Sequence, residues 1–175
     1  MLSKPELRKI IKQEKSQNTA RLAKLSSEVC QKLETTKQWQ AAQTVVLYYS
    51  LSDEVNTEKL LNNWFSLKDI LLPCIENDDI VLRKYDGRKS LNLNGKYNIP
   101  EPTGLVFNDY NKIDLIAVPG VAFDKENYRM GRGKGYYDRF LPKTDAYKIG
   151  ICFPFQYFDF IPTEPHDVPM DMVIC

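Results

Sequence analysis

Apolar positions in the first part of the chain recur at helical spacing, then give way to short apolar runs of strand length. From Ser3 to about Thr36 the pattern predicts one or two amphipathic helices, with Leu22, Leu25, Val29 and Leu33 on one stripe. Ser3 is placed as the N-cap, Pro5 falls in the first turn, and Glu6 completes a capping box. Thr44 to Tyr49 is β-branched and aromatic and predicts a strand; Glu54 to Phe65 predicts a helix burying Leu60, Leu61, Trp64 and Phe65. Ile70 to Pro73 and Ile80 to Tyr85 are further strands, the second alternating and so nearer a sheet edge. Asp86 to Asn111 reads mostly as loop. Ile113 to Val118 is a continuous apolar strand ended by Pro119 and Gly120, and Tyr136 to Leu141 begins a short helix. Lys148 to Phe153 and Met172 to Cys175 complete the strands.

Strands separated by helices predict an α/β fold: an open, mostly parallel sheet flanked by helices, with ligands beyond the carboxyl ends of the strands. The 175 residues fit a single domain, 1–175. Lysine and arginine total 24 against 23 acidic residues, a formal charge of +1 that provides no global field for nucleic acid or a membrane surface. Any electrostatic function must be local. The cysteines at 30, 74, 152 and 175 lie far apart in sequence without a C-x-x-C pair or a histidine cluster, which favours reduced thiols over a zinc site. No secretory core is evident near Leu2 to Arg8, and no stretch approaches the roughly 18 apolar residues of a membrane span, so a cytoplasmic location is expected.

The chemistry concentrates in Arg129 to Asp138. Gly131, Gly133 and Gly135 let the backbone approach oxygen atoms closely, ahead of a predicted helix whose N-terminus favours phosphate. Arg129, Arg132, Lys134 and Arg139 supply four cations in eleven residues, and Asp138, their only acidic neighbour, is placed for a metal. The spacing fits neither the Walker pattern nor the dinucleotide fingerprint, so this is a phosphate loop of another kind. Taken alone, the same residues also suit a solvated surface turn.

Three other places stand out. Lys4 and Arg8, four apart, share a helix face that could close on a nucleotide, although with Lys9, Lys12 and Lys15 on the same helix the spacing alone favours a solvated face. Glu164 to Asp171 is acidic and stiffened by Pro165 and Pro169. Asp171 could give Mg²⁺ a second carboxylate, or with Asp167 could cap turns, and His166 suits a structural hydrogen bond. Tyr49 and Glu54 follow the first strand and are candidates for a second substrate; Ser52 or Asp53 could instead be the N-cap of the next helix.

The segments Val118 to Asp124, Arg129 to Arg139 and Glu164 to Asp171 together resemble the 5-formyltetrahydrofolate cyclo-ligase family, also called methenyltetrahydrofolate synthetases. The likeness extends to Lys4 to Arg8, Ser52 to Thr57 and Tyr97 to Pro102, in the family's order, with no match recognised from Glu76 to Lys96. It implies a monomeric α/β enzyme converting 5-formyltetrahydrofolate to 5,10-methenyltetrahydrofolate with ATP and Mg²⁺, releasing ADP and phosphate. Lys4, Arg8, Arg129, Met130, Gly131, Arg132, Gly133, Lys134, Gly135, Tyr136 and Tyr137 would bind ATP. Tyr49, Glu54 and the loop from Arg132 to Tyr136 would contact the folate, Arg132, Lys134 and Glu54 would act in catalysis, and Asp138 and Asp171 would bind Mg²⁺. Two rivals fit the loop: an α/β enzyme using it for another phosphate without ATP, and an RNA-binding module stacking bases on Tyr128, Tyr136 and Tyr137. The balanced charge argues against the second, so no nucleic-acid partner is expected.

Overall fold

The first helix opens where the capping box predicts: the Glu6 N–H donates to Ser3 Oγ, and the Ser3 N–H donates to Glu6 Oε2 at 2.8 Å. The computed structural model describes residues 2–93 and 98–175. Met1 and residues 94–97, including Tyr97 of the motif quoted above, lie outside the described residues. In chain order the elements are α1 (Lys4–Gln17), α2 (Leu22–Glu34), α3 (Lys37–Ala41), β1 (Thr44–Val46), α4 (Glu58–Trp64), β2 (Asp69–Glu76), β3 (Asp79–Lys84), β4 (Leu91–Asn92), β5 (Glu101–Pro102), β6 (Val106–Phe107), β7 (Leu115–Pro119), β8 (Ala122–Asp124), β9 (Arg129–Met130), α5 (Tyr136–Phe140), β10 (Tyr147–Ile151), β11 (Tyr157–Phe158) and β12 (Met172–Ile174).

Among the described residues the main sheet runs β12-β10-β7-β1-β2-β3-β6. The pairs from β12 to β2 are parallel; β3 runs against them, paired antiparallel with both β2 and the edge strand β6. Side chains alternate between two buried faces, which explains the unbroken apolar runs of β1 and β7. Val45, Leu115 and Ala117 face α2 and α4 with Leu33, Leu60 and Trp39. Val46, Ile116 and Val118 face the other way, onto Phe140 and Leu141. A third cluster docks α1, through Leu7 and Ile11, against Ala122, Met130 and Ile161. Each fully buried side chain of this size contributes about 1.5–3 kcal/mol relative to exposure.

Helix α4 starts at Glu58, one turn later than its apolar pattern predicts, because residues 50–57 satisfy their polar groups locally. Tyr48 Oη donates to the Val55 carbonyl at 3.1 Å, Thr57 Oγ1 donates to the Tyr48 carbonyl, and the Leu51 N–H donates to Glu54 Oε2 at 3.0 Å. Such side-chain bonds compete with helix formation. The N-cap is therefore Thr57, and neither Ser52 nor Asp53 takes that place. The expected loop between Asp86 and Asn111 contains the β4-β5 ladder and the edge strand β6. In a separate three-stranded sheet, β11-β8-β9, the end of β9 leads into the glycine-rich loop. Among the described residues no helix is long and apolar enough to cross a membrane.

Candidate active site

Strand β2 follows β1 on one side, whereas β7, β10 and β12 build outward on the other, so the winding reverses between β1 and β7. Ligands of open α/β sheets bind beyond the carboxyl ends of the strands at such a reversal. A cavity of about 380 Å³ opens there. The exit from β1 supplies Tyr48, Tyr49, Leu51 and Glu54; the exit from β7 supplies Pro119 and Gly120. Arg129, Gly131, Arg132 and Lys134 to Asp138 form the loop wall, and Pro73, Ile75, Ile80 and Ile99 add an apolar wall.

The glycines shape the loop for different reasons. Gly133 and Gly135 have φ of +96° and +70°, a left-handed region that costs other residues about 1–2 kcal/mol. Gly131 is needed for space, since a Cβ there would meet Arg129 Nη1 at 2.7 Å. The helix that follows spans five residues, too short for its dipole to add much to the anion affinity expected of its N-terminus.

The loop cations are engaged differently. The Arg129 side chain is 5% exposed, with Nη2 2.5 Å from Asp138 Oδ1 and its guanidinium 5.5 Å from the Tyr137 ring. Its buried Nε–H has no hydrogen-bond partner among the described residues. Breaking such a buried pair costs several kcal/mol, so Arg129 is a fixed strut. Arg132, 47% exposed, reaches Asp53 Oδ1 at 2.6 Å and Glu54 Oε1 at 3.2 Å. Burial opposes its charge, but the bond to Asp53 and the charge of Glu54 outweigh it and hold its pKa above the ordinary arginine value. An exposed pair of this kind is worth about 0–1 kcal/mol, so an incoming phosphate can displace it. Lys134 is exposed, lines the cavity and makes no ion pair among the described residues. Arg139 instead ties the loop to the β2–β3 turn, through Asp79 at 3.4 Å and the Asp78 carbonyl at 2.5 Å. Tyr49 and Tyr137 both titrate above ordinary tyrosine, chiefly through burial, with Glu58 and Glu54 respectively adding to it.

The two carboxylates expected to share Mg²⁺ are not brought together. Asp138 lines the cavity, whereas Asp171 precedes β12 at the opposite end of the parallel strands, where its Oδ2 accepts from the Lys148 N–H at 2.7 Å. Asp171 thus caps a turn here, away from the cavity that Asp138 lines. Among the described residues no group of three potential ligands forms a metal cage. One carboxylate with an oxygen left over from Arg129 still fits Mg²⁺, which takes one or two carboxylates and completes its shell with water and phosphate oxygens.

On α1, Arg8 donates from Nε and Nη2 to the Gly131 carbonyl at 3.2 and 3.0 Å, so this cation does meet the loop. Lys4 lies one turn earlier and pairs with Glu164 at 2.9 Å and Asp167 at 3.3 Å. Burial lowers the Lys4 pKa, but these two carboxylates more than reverse that. Met130 turns its side chain into the α1 cluster and contributes only backbone to the loop. The sequence did not foretell the pairing of Lys15 with Asp53: Lys15 Nζ lies 3.1 Å from Asp53 Oδ2, with the lysine side chain 9% exposed. The signal was its position, four residues after Ile11 and eight after Leu7, which puts a charge on the apolar stripe. Asp124, within one of the resembling segments, is structural: it is fully buried and accepts from the N–H groups of Glu126, Tyr128 and Ile161.

A mostly parallel α/β sheet with a cavity at its reversal point, lined by cationic loop residues and by apolar strand residues, is the arrangement of a small-molecule enzyme. Comparison with known proteins gives the kind of enzyme. Residues 1–175 match the model of the 5-formyltetrahydrofolate cyclo-ligase family. A mouse 5-formyltetrahydrofolate cyclo-ligase is 30% identical over 159 residues, covering 82% of this chain and 78% of that protein. The solved 5,10-methenyltetrahydrofolate synthetase of Aquifex aeolicus superposes with a TM-score of 0.86 at 34% identity, covering 98% of this chain and 88% of the other. That of Mycoplasma pneumoniae gives 0.73 at 28% identity, covering 99% and 98%. The chain belongs to the 5-formyltetrahydrofolate cyclo-ligase family.

Proposed function

We propose that the cavity binds ATP with Mg²⁺ beside 5-formyltetrahydrofolate and closes the folate to 5,10-methenyltetrahydrofolate, releasing ADP and phosphate. The observation that carries this reading is the division of the cavity: Arg132 and Lys134 on one wall, Tyr49, Ile75, Ile80 and Ile99 on the other. A polyphosphate suits the first wall and a flat, largely apolar ring system the second. The names of the solved relatives support the product.

The chemistry needs no nucleophilic side chain. A formamide carbonyl is a poor electrophile, so its oxygen first attacks the γ-phosphorus: an O–P bond forms, the bond to the β,γ-bridging oxygen breaks, and ADP leaves. N10 then attacks the activated formyl carbon; the C–N bond forms, the C–O bond breaks, phosphate departs, and N10 gives its proton to solvent. The protein must align the formyl oxygen with phosphorus and stabilise the transferring group, the usual means of phosphoryl-transfer catalysis.

In this reading Lys134 meets the γ-phosphate first, and Arg132 exchanges Asp53 and Glu54 for phosphate oxygens. Glu54, with a side chain 13% exposed, is thereby released to accept from the pterin or the N10 region while the Leu51 N–H still holds its other oxygen. Tyr49 and Tyr136 flank the folate, Arg8 and Lys4 approach the nucleotide from α1, and the N–H groups from Gly131 to Tyr137 surround its phosphates. Asp138 would hold Mg²⁺ carried in on the nucleotide, and the ion when bound neutralises phosphate oxygens.

The test is the absorbance of methenyltetrahydrofolate formed from 5-formyltetrahydrofolate at mildly acidic pH, with and without ATP and Mg²⁺. Product that requires both is expected. Product without ATP would return the loop to binding some other phosphate, and no product from folded protein would overturn the reading.

A further inference from the structure

We propose that Cys152 and Cys175 are a modification site: a dithiol that a small-molecule disulfide converts to a reversible intramolecular disulfide. Far apart in sequence, the two meet through strand register. β10 and β12 run parallel with Ile151 opposite Ile174, and one residue further on the Cys152 N–H donates to the Ile174 carbonyl at 3.0 Å. Cys152 therefore stands beside Cys175. Neighbouring strands lie about 4.8 Å apart, inside the roughly 4.4–6.8 Å between Cα atoms that a disulfide spans. Both side chains leave the sheet on one face: Ile151 and Ile174 pack in one cluster, while Cys152 and Cys175 pack in the other.

The pair is asymmetric in access and in charge. Cys152 is fully buried and Cys175 only partly. Lys32 of α2 donates from Nζ to the Cys175 backbone oxygen, which sets a cation beside the more open thiol. The contact with Cys152, reinforced by Lys32 against burial, brings the Cys175 thiol down to about 6, while the same contact and burial drive Cys152 upward. Cys30 on α2 and Cys74 on β2 are buried, held up to about 11 and about 12 chiefly by burial.

The chemistry is thiol–disulfide exchange. The Cys175 thiolate attacks one sulfur of the small disulfide; the new S–S bond forms, the old one breaks, and a small thiolate leaves. Cys152 then attacks Sγ of Cys175, expelling the second small thiol, which takes up the Cys152 proton. The two protein sulfurs are oxidised by two electrons, and the small disulfide is reduced to two thiols. The new bond closes the segment between β10 and β12, which carries β11 and the Glu164–Asp167 turn that holds Lys4.

The full-length protein is incubated with oxidised glutathione, denatured, alkylated and examined by intact mass and peptide mapping. Two alkylatable thiols, Cys30 and Cys74, and a peptide pair joined through Cys152 and Cys175 are expected, with four thiols restored by dithiothreitol. Cys152→Ser should stop at a stable glutathione adduct on Cys175, and Cys175→Ser should take up none, with circular dichroism confirming that both variants are folded. Four free thiols after incubation, an adduct on Cys175 that never resolves in the unmutated protein, or a disulfide between two chains would each overturn the proposal. Thermal unfolding supplies a measurement independent of the variants: the oxidised protein should melt at least about 5 °C higher than the reduced one, and an equal or lower midpoint would count against a bond compatible with the native register.

Discussion

Arg132 Nη2 lies 2.6 Å from Asp53 Oδ1, and the other oxygen of Asp53 lies 3.1 Å from Lys15 Nζ. One carboxylate thus links the glycine-rich loop to α1. Burial raises the Asp53 pKa, but Lys15 and Arg132 outweigh it and hold the carboxyl below its ordinary range. A depressed carboxylate contributes stability above its unfolded pKa, near 3.9, and loses it as pH falls through the folded value.

Asp53→Asn should therefore cost on the order of 1 kcal/mol at pH 7, discounted because the aspartate is 41% exposed. The cost should shrink as pH falls below about 3.9 and vanish once pH passes below the depressed folded value, as seen by denaturant titration of both proteins through the acid range. In turnover the loop, no longer latched, should raise KM for ATP more than it lowers kcat. An unchanged KM would remove Asp53 from loop positioning.

In the proposed reaction Lys134 and Arg132 serve the transferring phosphate, and Lys134 has no ion-pair partner among the described residues that would need to be displaced. Lys134→Met should lower kcat by about 10²–10³-fold, the magnitude of losing one preorganised charge at a developing anion. Its unfolding free energy should stay within about 0.5 kcal/mol, as for other exposed substitutions. Comparable losses of stability and turnover would mean that Lys134 acts on the fold.

Two glycines should separate site from scaffold. At Gly150 an added methyl would lie 2.3 Å from Cε1 of the fully buried Phe123, so Gly150→Ala should cost about 1–3 kcal/mol or more by overpacking. At Gly131 the neighbour is the Arg129 guanidinium, and Gly131→Ala should shift that strut and cut kcat/KM by about tenfold or more with a smaller loss of stability. Midpoints and steady-state kinetics of the two variants decide the point; the reverse ranking would show that Arg129 tolerates displacement.

How much of this was legible beforehand depended on the range of the interaction. The capping box at Ser3 and Glu6, the apolar runs of β1, β7 and β10 and the glycine loop are local patterns, and they appear close to where expected. The start of α4 was misplaced because the hydroxyls of Tyr48 and Thr57 engage carbonyls seven and nine residues away in sequence, which periodicity does not register. The β8-β9 hairpin was missed because its strands are two or three residues long and owe their order to α1 packing on Ala122 and Met130. Asp53 and Lys15 are 38 residues apart and meet only in the folded chain.

The same limit bears on the two expected metal ligands, and it yields a direct contrast. Asp138 and Asp171 both looked suited to Mg²⁺ by residue type, but only Asp138 reaches the cavity; Asp171 accepts from Lys148 at the far end of the strands. Asp138→Asn keeps the shape and could still accept from Arg129, while removing the negative charge a cation needs. It should reduce kcat/KM by at least about 10²-fold and raise the Mg²⁺ concentration at half-maximal rate. Asp171→Asn should leave that concentration within about threefold and cost only on the order of 1 kcal/mol, the scale of one hydrogen bond. Mg²⁺ titrations of turnover at saturating ATP, run on both variants, make the comparison. An Asp171→Asn protein with a strongly shifted Mg²⁺ requirement would restore the second carboxylate and require the β12 end of the sheet to approach the cavity during catalysis.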